Sequence, residues 1–328
     1  MSRASQQRTP QVSGELISTR RVGAYHHLTF RAPDVAEHAR PGQFVALAVG
    51  GDTSATLLRR CFSIHRVSPR GAQGGTVEIV VAARGPGTRW LTDLGTQREV
   101  SMIGPLGRGF PLPTDPVPCV LVGGGYGSAP LFWLAEALRE RGAHVEMVLG
   151  AATSDQLFGV AEARRAADRV TVTTDDGSMG TKGWVSAVLP DVIRRSHADV
   201  VYGCGPMAML RSVTDIATQE GAVAQVAVEE SMACGIGVCM TCVMPVTGND
   251  GLTRMARSCV EGRRLTQGRR HTGELTGRVP CDGHHHARPD GLQPDQVGAG
   301  ELGDAGALQA DRVEHAARRL GHPRGTAA

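Results

Sequence analysis

Lysine is almost missing from this 328-residue chain: Lys182 is the only one, and arginine supplies the remaining positive charge. The net charge is +3, which leaves no strong electrostatic footprint for a nucleic-acid backbone. Aromatic residues make up 4%, too few for base-stacking platforms. No apolar run reaches the ~18 residues that a membrane-spanning helix needs. Residues 1–16 hold no apolar segment of signal-peptide type. Eight cysteines without such a segment point to the cytoplasm, where clustered cysteines more often bind metal or do redox work than form disulfides. What the chain does have is core material. Hydrophobic residues make up 41%, and the length suggests about two domains.

From Val12 to Leu112 the pattern is strand-like. Tyr25–Phe30, Gln43–Val49, Cys61–Val67 and Val77–Ala82 are rich in β-branched and aromatic residues, with glycine and proline between them. This predicts an antiparallel barrel or sandwich over residues 12–112. Four prolines between Pro111 and Pro118 read as a linker. The rhythm then changes. Cys119–Val122 and Val145–Leu149 read as strands, and Ala129–Arg141 as a helix that stops at Gly142. Val170–Thr174, Trp184–Leu189 and Val200–Tyr202 continue a strand–helix alternation. That order predicts a doubly wound α/β domain with a parallel sheet over residues 113–225. Residues 226–262 hold four of the eight cysteines and form a third, small unit. Residues 263–328 contain no Phe, Trp or Tyr, eleven Gly and six of the twelve His. Such a segment cannot bury much surface and is expected to be a disordered tail.

Cys234, Cys239 and Cys242 are spaced C-x4-C-x2-C, and Cys259 follows. This is the plant-type ferredoxin spacing for a [2Fe–2S] cluster. Soft thiolates are the ligands such a cluster needs. Gly235 and Gly237 suit a loop that turns backbone N–H groups toward cluster sulfurs. A four-cysteine zinc site is the plainer alternative, but zinc favours two C-x2–4-C knuckles and Cys259 stands alone. Cys61 and Cys119 read as buried small residues, and Cys281 has no assigned partner.

Gly123, Gly124, Gly125 and Gly127 follow a strand and open a helix. That order suits the pyrophosphate of a dinucleotide at a helix N-terminus. Asp176, in Thr174-Asp-Asp-Gly-Ser178, and Cys204-Gly205-Pro206 both follow strands, where open α/β sheets bind ligands; ordinary strand-ending turns are the alternative. Leu149–Asp155 offers no cation for a 2′-phosphate, which favours NAD over NADP. Arg60-Cys61-Phe62-Ser63 opens a strand, and Gly85-Pro-Gly87-Thr88 leads into a helix. Arg60 and Ser63 could hold a phosphate or flavin edge, with Gly87 and Thr88 offering N–H and hydroxyl groups to a pyrophosphate. The competing reading is an exposed arginine pair and a helix cap.

Together these motifs resemble the ferredoxin–NADP reductase superfamily and, within it, the electron-transfer subunits of type B dihydroorotate dehydrogenases, over about residues 12–262. The family's R-P-x-S flavin motif stands here as Arg60-Cys61-Phe62-Ser63, with cysteine for proline. Its G-x-G-T turn stands as Gly85–Thr88, and its flavin-contacting strand falls at Val80, Val81 and Ala82. T-D-D-G-S-x-G-x-K-G spans Thr174–Gly183, Lys182 included. Cys204, of the C-G-P motif, would lie near the nicotinamide. The resemblance implies FAD and a [2Fe–2S] cluster as cofactors and NAD as co-substrate. It implies a partner, the FMN-containing dihydroorotate dehydrogenase catalytic subunit, in an assembly with two of each chain. Electrons would pass from FMN through the cluster and FAD to NAD+. A related reductase subunit serving a ferredoxin transhydrogenase or hydrogenase would carry nearly the same motifs. A zinc-bearing regulatory module is the alternative from another class. One departure stands out. After Glu261-Gly262 the family ends soon, whereas here residues 263–328 follow, which reads as a frameshifted or otherwise non-native extension.

Overall fold

The structure, a computed structural model, describes residues 9–51, 54–70, 74–228, 231–247 and 253–260. Cys281 and the expected tail lie outside the described residues.

Six antiparallel strands close the first unit: β1 (Gln11–Val22), β2 (Tyr25–Arg31), β3 (Phe44–Leu47), β4 (Arg60–Ser68), β5 (Thr76–Val81) and β6 (Glu99–Leu106). Their order is β1-β2-β5-β4-β3-β6, a closed barrel rather than a sandwich. Closure leaves no unpaired edge. The period-2 alternation sends Leu28, Phe30, Val45, Leu47, Phe62 and Ile64 into one core. Helix α1 (Pro33–His38) and helix α2 (Pro86–Thr92) lie between strands.

The second unit is a six-stranded parallel sheet. Its elements are β7 (Cys119–Gly124), α3 (Ala129–Glu140), β8 (Val145–Ala151), α4 (Val160–Ala166), β9 (Arg169–Thr174), β10 (Thr181–Lys182), α5 (Val185–Ser196), β11 (Val200–Cys204), α6 (Met207–Gln219) and β12 (Val223–Ala227). The order is β10-β9-β8-β7-β11-β12. Strand order reverses at β7, so the crevice between the carboxyl ends of β7 and β11 is a switch point of the kind that binds ligands. Trp184–Leu189 supplies the start of α5. Val185, Leu189, Val192 and Ile193 form its buried stripe.

A charged seam joins barrel to sheet. Arg66 of β4 donates to Glu136 of α3 at 2.7 Å and to Glu162 of α4 at 2.8 Å. His65, 3% exposed, uses Nδ1 on the Ala129 carbonyl at 2.6 Å and sets Nε2 3.3 Å from Glu162. Phe132 and Phe158 stand edge-on to its ring. Burial alone would raise the Glu162 carboxyl, but the hydrogen bonds and charges of His65 and Arg66 outweigh it and hold it down at about 2. Beside them His27 pairs with Glu78 at 2.9 Å.

The third unit is a loop and the hairpin β13 (Val243–Thr247) and β14 (Thr253–Arg257). Met232, Cys242 and Cys259 pack on Phe44, Ala46, Cys61 and Leu106, which face outward from β3, β4 and the end of β6. Met244 packs the other way, on Leu210, Val226 and Val228.

Candidate functional site

Cys234, Cys239 and Cys242 share one loop, and the β13–β14 hairpin returns Cys259 to them. Cys242 Sγ and Cys259 Sγ are 3.2 Å apart. The N–H groups of Val238 and Cys239 both donate to Cys234 Sγ at 3.4 Å. The loop folds this tightly because Gly235 and Gly237 take φ values of +69° and +83°, a region that costs other residues about 1–2 kcal/mol. Arg257 clamps it from β14 by donating to the Gly237 carbonyl at 2.9 Å. Hydrogen bonds from the Thr241 side chain and backbone hold the Cys239 thiol down at about 6. The hydrogen bond between Cys242 and Cys259 lowers the Cys242 thiol and raises that of Cys259; thiols must lose their protons for a metal to bind. Four sulfurs, one accepting two backbone N–H groups, fit an iron–sulfur cluster by donor chemistry. Burial is graded: Cys242 and Cys259 are 2% exposed, Cys234 is half-buried and Cys239 is exposed. The exposed rim is apolar, with Ile236, Val238, Met240, Met255 and Val260.

Phe62 and Val81 point into the barrel core, whereas Cys61 faces the cysteine loop and Val80 and Ala82 face the parallel-sheet unit. The flavin motif therefore divides by parity: its odd-numbered members on β4 face outward. Arg60 lies beside the turn into α2; a Cβ placed on Gly87 would sit 3.4 Å from Arg60 Nε. That nitrogen is buried and makes no hydrogen bond among the described residues, a donor consistent with a bound flavin nucleotide. Thr88 takes the capping role that the sequence offered as the alternative to a pyrophosphate contact. Its hydroxyl is fully buried, accepts the N–H groups of Arg84 and Gly85 at 3.0 Å each and donates to the Gly85 carbonyl. It shapes the turn and presents no hydroxyl outward.

The glycines at the end of β7 and just after it meet the Cys204-Gly205-Pro206 turn directly. Cys204 pairs with Gly123 across adjacent strands. A Cβ on Gly124 would lie 2.8 Å from Pro206 Cδ, and one on Gly127 2.8 Å from Gly205 Cα. Two motifs almost 80 residues apart are thus one cradle, packed backbone to backbone. Cys204 is 1% exposed, so its thiol lies in the core at the edge of that cradle. Asp176 is exposed past β9 and accepts from the Ser178 N–H at 2.9 Å and hydroxyl at 2.7 Å, which hold its carboxyl below the usual range.

Sequence reasoning missed the bridge between these two sites. Arg84, after β5, lies over the Tyr126 ring at 5.8 Å, and Tyr126 tilts against Tyr25 of β2 at 5.5 Å. Tyr126, an aromatic side chain set among four glycines, was the signal available. Arg59 was also missed as an anchor: it donates to the carbonyl and hydroxyl of Ser101.

Comparison with known proteins agrees with this geometry. The family model described as the iron-sulfur cluster binding domain of dihydroorotate dehydrogenase B matches residues 229–262. The dihydroorotate dehydrogenase B (NAD(+)) electron transfer subunit of Desulforamulus reducens is 35% identical over 72% of this chain and 88% of its own length. That of Geobacillus thermodenitrificans is 36% identical over 78% and 95%. Among solved structures, an NADH-dependent reduced ferredoxin-NADP oxidoreductase superposes with a TM-score of 0.66 at 29% identity, over 76% of this chain and 87% of that one. An Amycolatopsis cytochrome P450 reductase, GcoB, shares the fold with a TM-score of 0.53 at 22% identity, over 67% and 69%. With the cysteine loop seated on a flavin-type barrel and relatives matched over most of their length, this chain belongs to the family of dihydroorotate dehydrogenase B electron transfer subunits.

Proposed function

We propose that this chain links oxidation of dihydroorotate on a separate FMN-containing subunit to reduction of NAD+, working in the cytoplasm in an assembly with two of each chain. The observation that carries the reading is the seating of the cysteine loop against Cys61 of the Arg60–Ser63 motif, on the outward face of β3 and β4. Cys234, Cys239, Cys242 and Cys259 hold the [2Fe–2S] cluster. Arg60, Ser63, Val80, Ala82 and Gly87 hold FAD, with Cys61, Phe62, Val81 and Thr88 shaping the strand and turn behind them. Gly123, Gly124, Gly125 and Gly127, with Gly205 and Pro206, cradle NAD, and Asp176 and Cys204 border it. FAD, when bound, joins one-electron transfer to two-electron hydride chemistry. The residues of this chain orient that chemistry. The Arg66–Glu136–Glu162 seam fixes the angle between barrel and sheet. The apolar rim around exposed Cys239 gives the partner a dry surface at the cluster. Among the described residues no helix is long and apolar enough to cross a membrane.

The test is an anaerobic pull-down from source cells with the chain tagged at its N-terminus. The expected result is an FMN-bearing partner and dihydroorotate-dependent NAD+ reduction in the eluate. Likeness to the ferredoxin-NADP oxidoreductase supports a second reading, a subunit of a ferredoxin-linked transhydrogenase. Recovery of a different redox partner, with NADH still bleaching the flavin, would establish that one.

A further inference from the structure

Cys61 is a fifth cysteine beside the four ligands, and the family resemblance gives it no role of its own. Strand alternation sends Arg60 and Phe62 one way and Cys61, Ser63 and His65 the other. Phe62 enters the barrel core, while Cys61 enters the small cluster formed with Phe44, Leu106, Met232, Cys242 and Cys259. Its Sγ lies 3.1 Å from where a Cβ on Gly235 would stand, so the sulfur rests against the backbone of the residue after the ligand Cys234. The side chain is 2% exposed. Among the described residues no carbonyl or side chain accepts a hydrogen bond from this thiol. A buried S–H donor therefore packs against a loop whose sulfurs are acceptors when they bind metal.

We propose that Cys61 is a positioning residue for the cluster, its thiol backing the ligand loop at Gly235 and stabilising the reduced, more negative state. This rests on the [2Fe–2S] reading of the site. Hydrogen bonding toward cluster sulfur is one of the levers by which a protein sets a cluster's potential. The same face of β4 carries Ser63 roughly 7 Å further along and His65 as far again. One strand thus addresses the cluster, the flavin motif and the nucleotide unit in turn.

The test is a potentiometric titration of the purified holo-complex, with the reduced cluster followed by EPR, for wild type, Cys61→Val and Cys61→Ser. Valine keeps the bulk and removes the donor; serine keeps a donor and loses bulk. The expected result is a cluster potential lowered in the valine variant by about tenfold in the reduced-to-oxidised ratio, or ~59 mV for one electron, with serine at or above wild type. A packing role alone would give the reverse order, with valine unchanged and serine lowered, and would overturn the proposal. Equal potentials in all three would also overturn it. A wild-type protein without the EPR signal of a reduced [2Fe–2S] cluster would remove the underlying reading as well.

Discussion

The dinucleotide loop and the cysteine loop both depend on glycine, for different physical reasons. At Gly124 and Gly127 the backbone takes no left-handed torsion; what matters is the missing side chain, because Pro206 and Gly205 occupy the space. At Gly235 and Gly237 the torsion itself is left-handed. The first loop, where Gly125 alone of its four glycines is left-handed at φ +56°, is fixed mainly by protein packed on protein, and its cradle exists before a ligand arrives. The second is held by backbone torsion, two N–H···S bonds and one arginine clamp, and its strongest bonds come from metal. On the proposed assignment, one region is built for a ligand that comes and goes, the other for a resident group.

The largest effect that sharpens this contrast is expected from Cys239→Ser. The EPR signal of the reduced cluster and electron exchange with the partner should disappear, while NADH still reduces the flavin; loss of both in stopped-flow would break the order of carriers. Next comes Gly127→Ala. A methyl 2.8 Å from Gly205 Cα should strain the cradle by about 1–3 kcal/mol, seen as a roughly 10- to 100-fold rise in the Kd for NADH with iron content unchanged.

The seam between barrel and sheet should respond differently from either loop. Glu162→Gln is expected to cost about 1–3 kcal/mol of thermal stability by leaving Arg66 and His65 short of a partner. Glu162 titrates at about 2 when folded against an ordinary 4.5. Its contribution is thus complete above about pH 4.5 and lost as the pH falls toward 2. An acid-unfolding curve should show that limb in wild type and a weaker one in the variant. The smallest effect is expected from Gly237→Ala: about 1–2 kcal/mol of torsional strain, with the new methyl against Val260 Cγ2, an exposed side chain that can move aside. It should lower iron per chain, measured by metal analysis, and leave the Kd for NADH where it was.

Much of this could be read from the sequence because the signals were local. Alternation marked the barrel strands, the order of strand, glycines and helix marked the turn from β7 into α3, and cysteine spacing marked the iron–sulfur domain. Contacts between distant segments could not be read that way. Nothing near Gly127 announces that Gly205 fills the space beside it. The cap reading of Thr88 was open to the sequence, but not that Arg84 shares its hydroxyl with Gly85. The outward direction of Cys61 follows from strand parity, but its neighbour Gly235 is set by how the third unit lands on the barrel. Helices α4 and α6 went unread, α4 being only seven residues long.

The scarcity of lysine has a practical consequence. Lys182 is exposed on β10, the edge strand of the sheet, and closes the turn that carries Asp176. Apart from the terminal amine, an amine-reactive dye has one attachment point in the whole chain. That point is separated from the proposed nucleotide cradle on β7 and β11 by strands β9 and β8, and it lies on a different unit from the cysteine loop. A single fluorophore could therefore be placed without engineering and without thiol chemistry that would attack the cluster ligands.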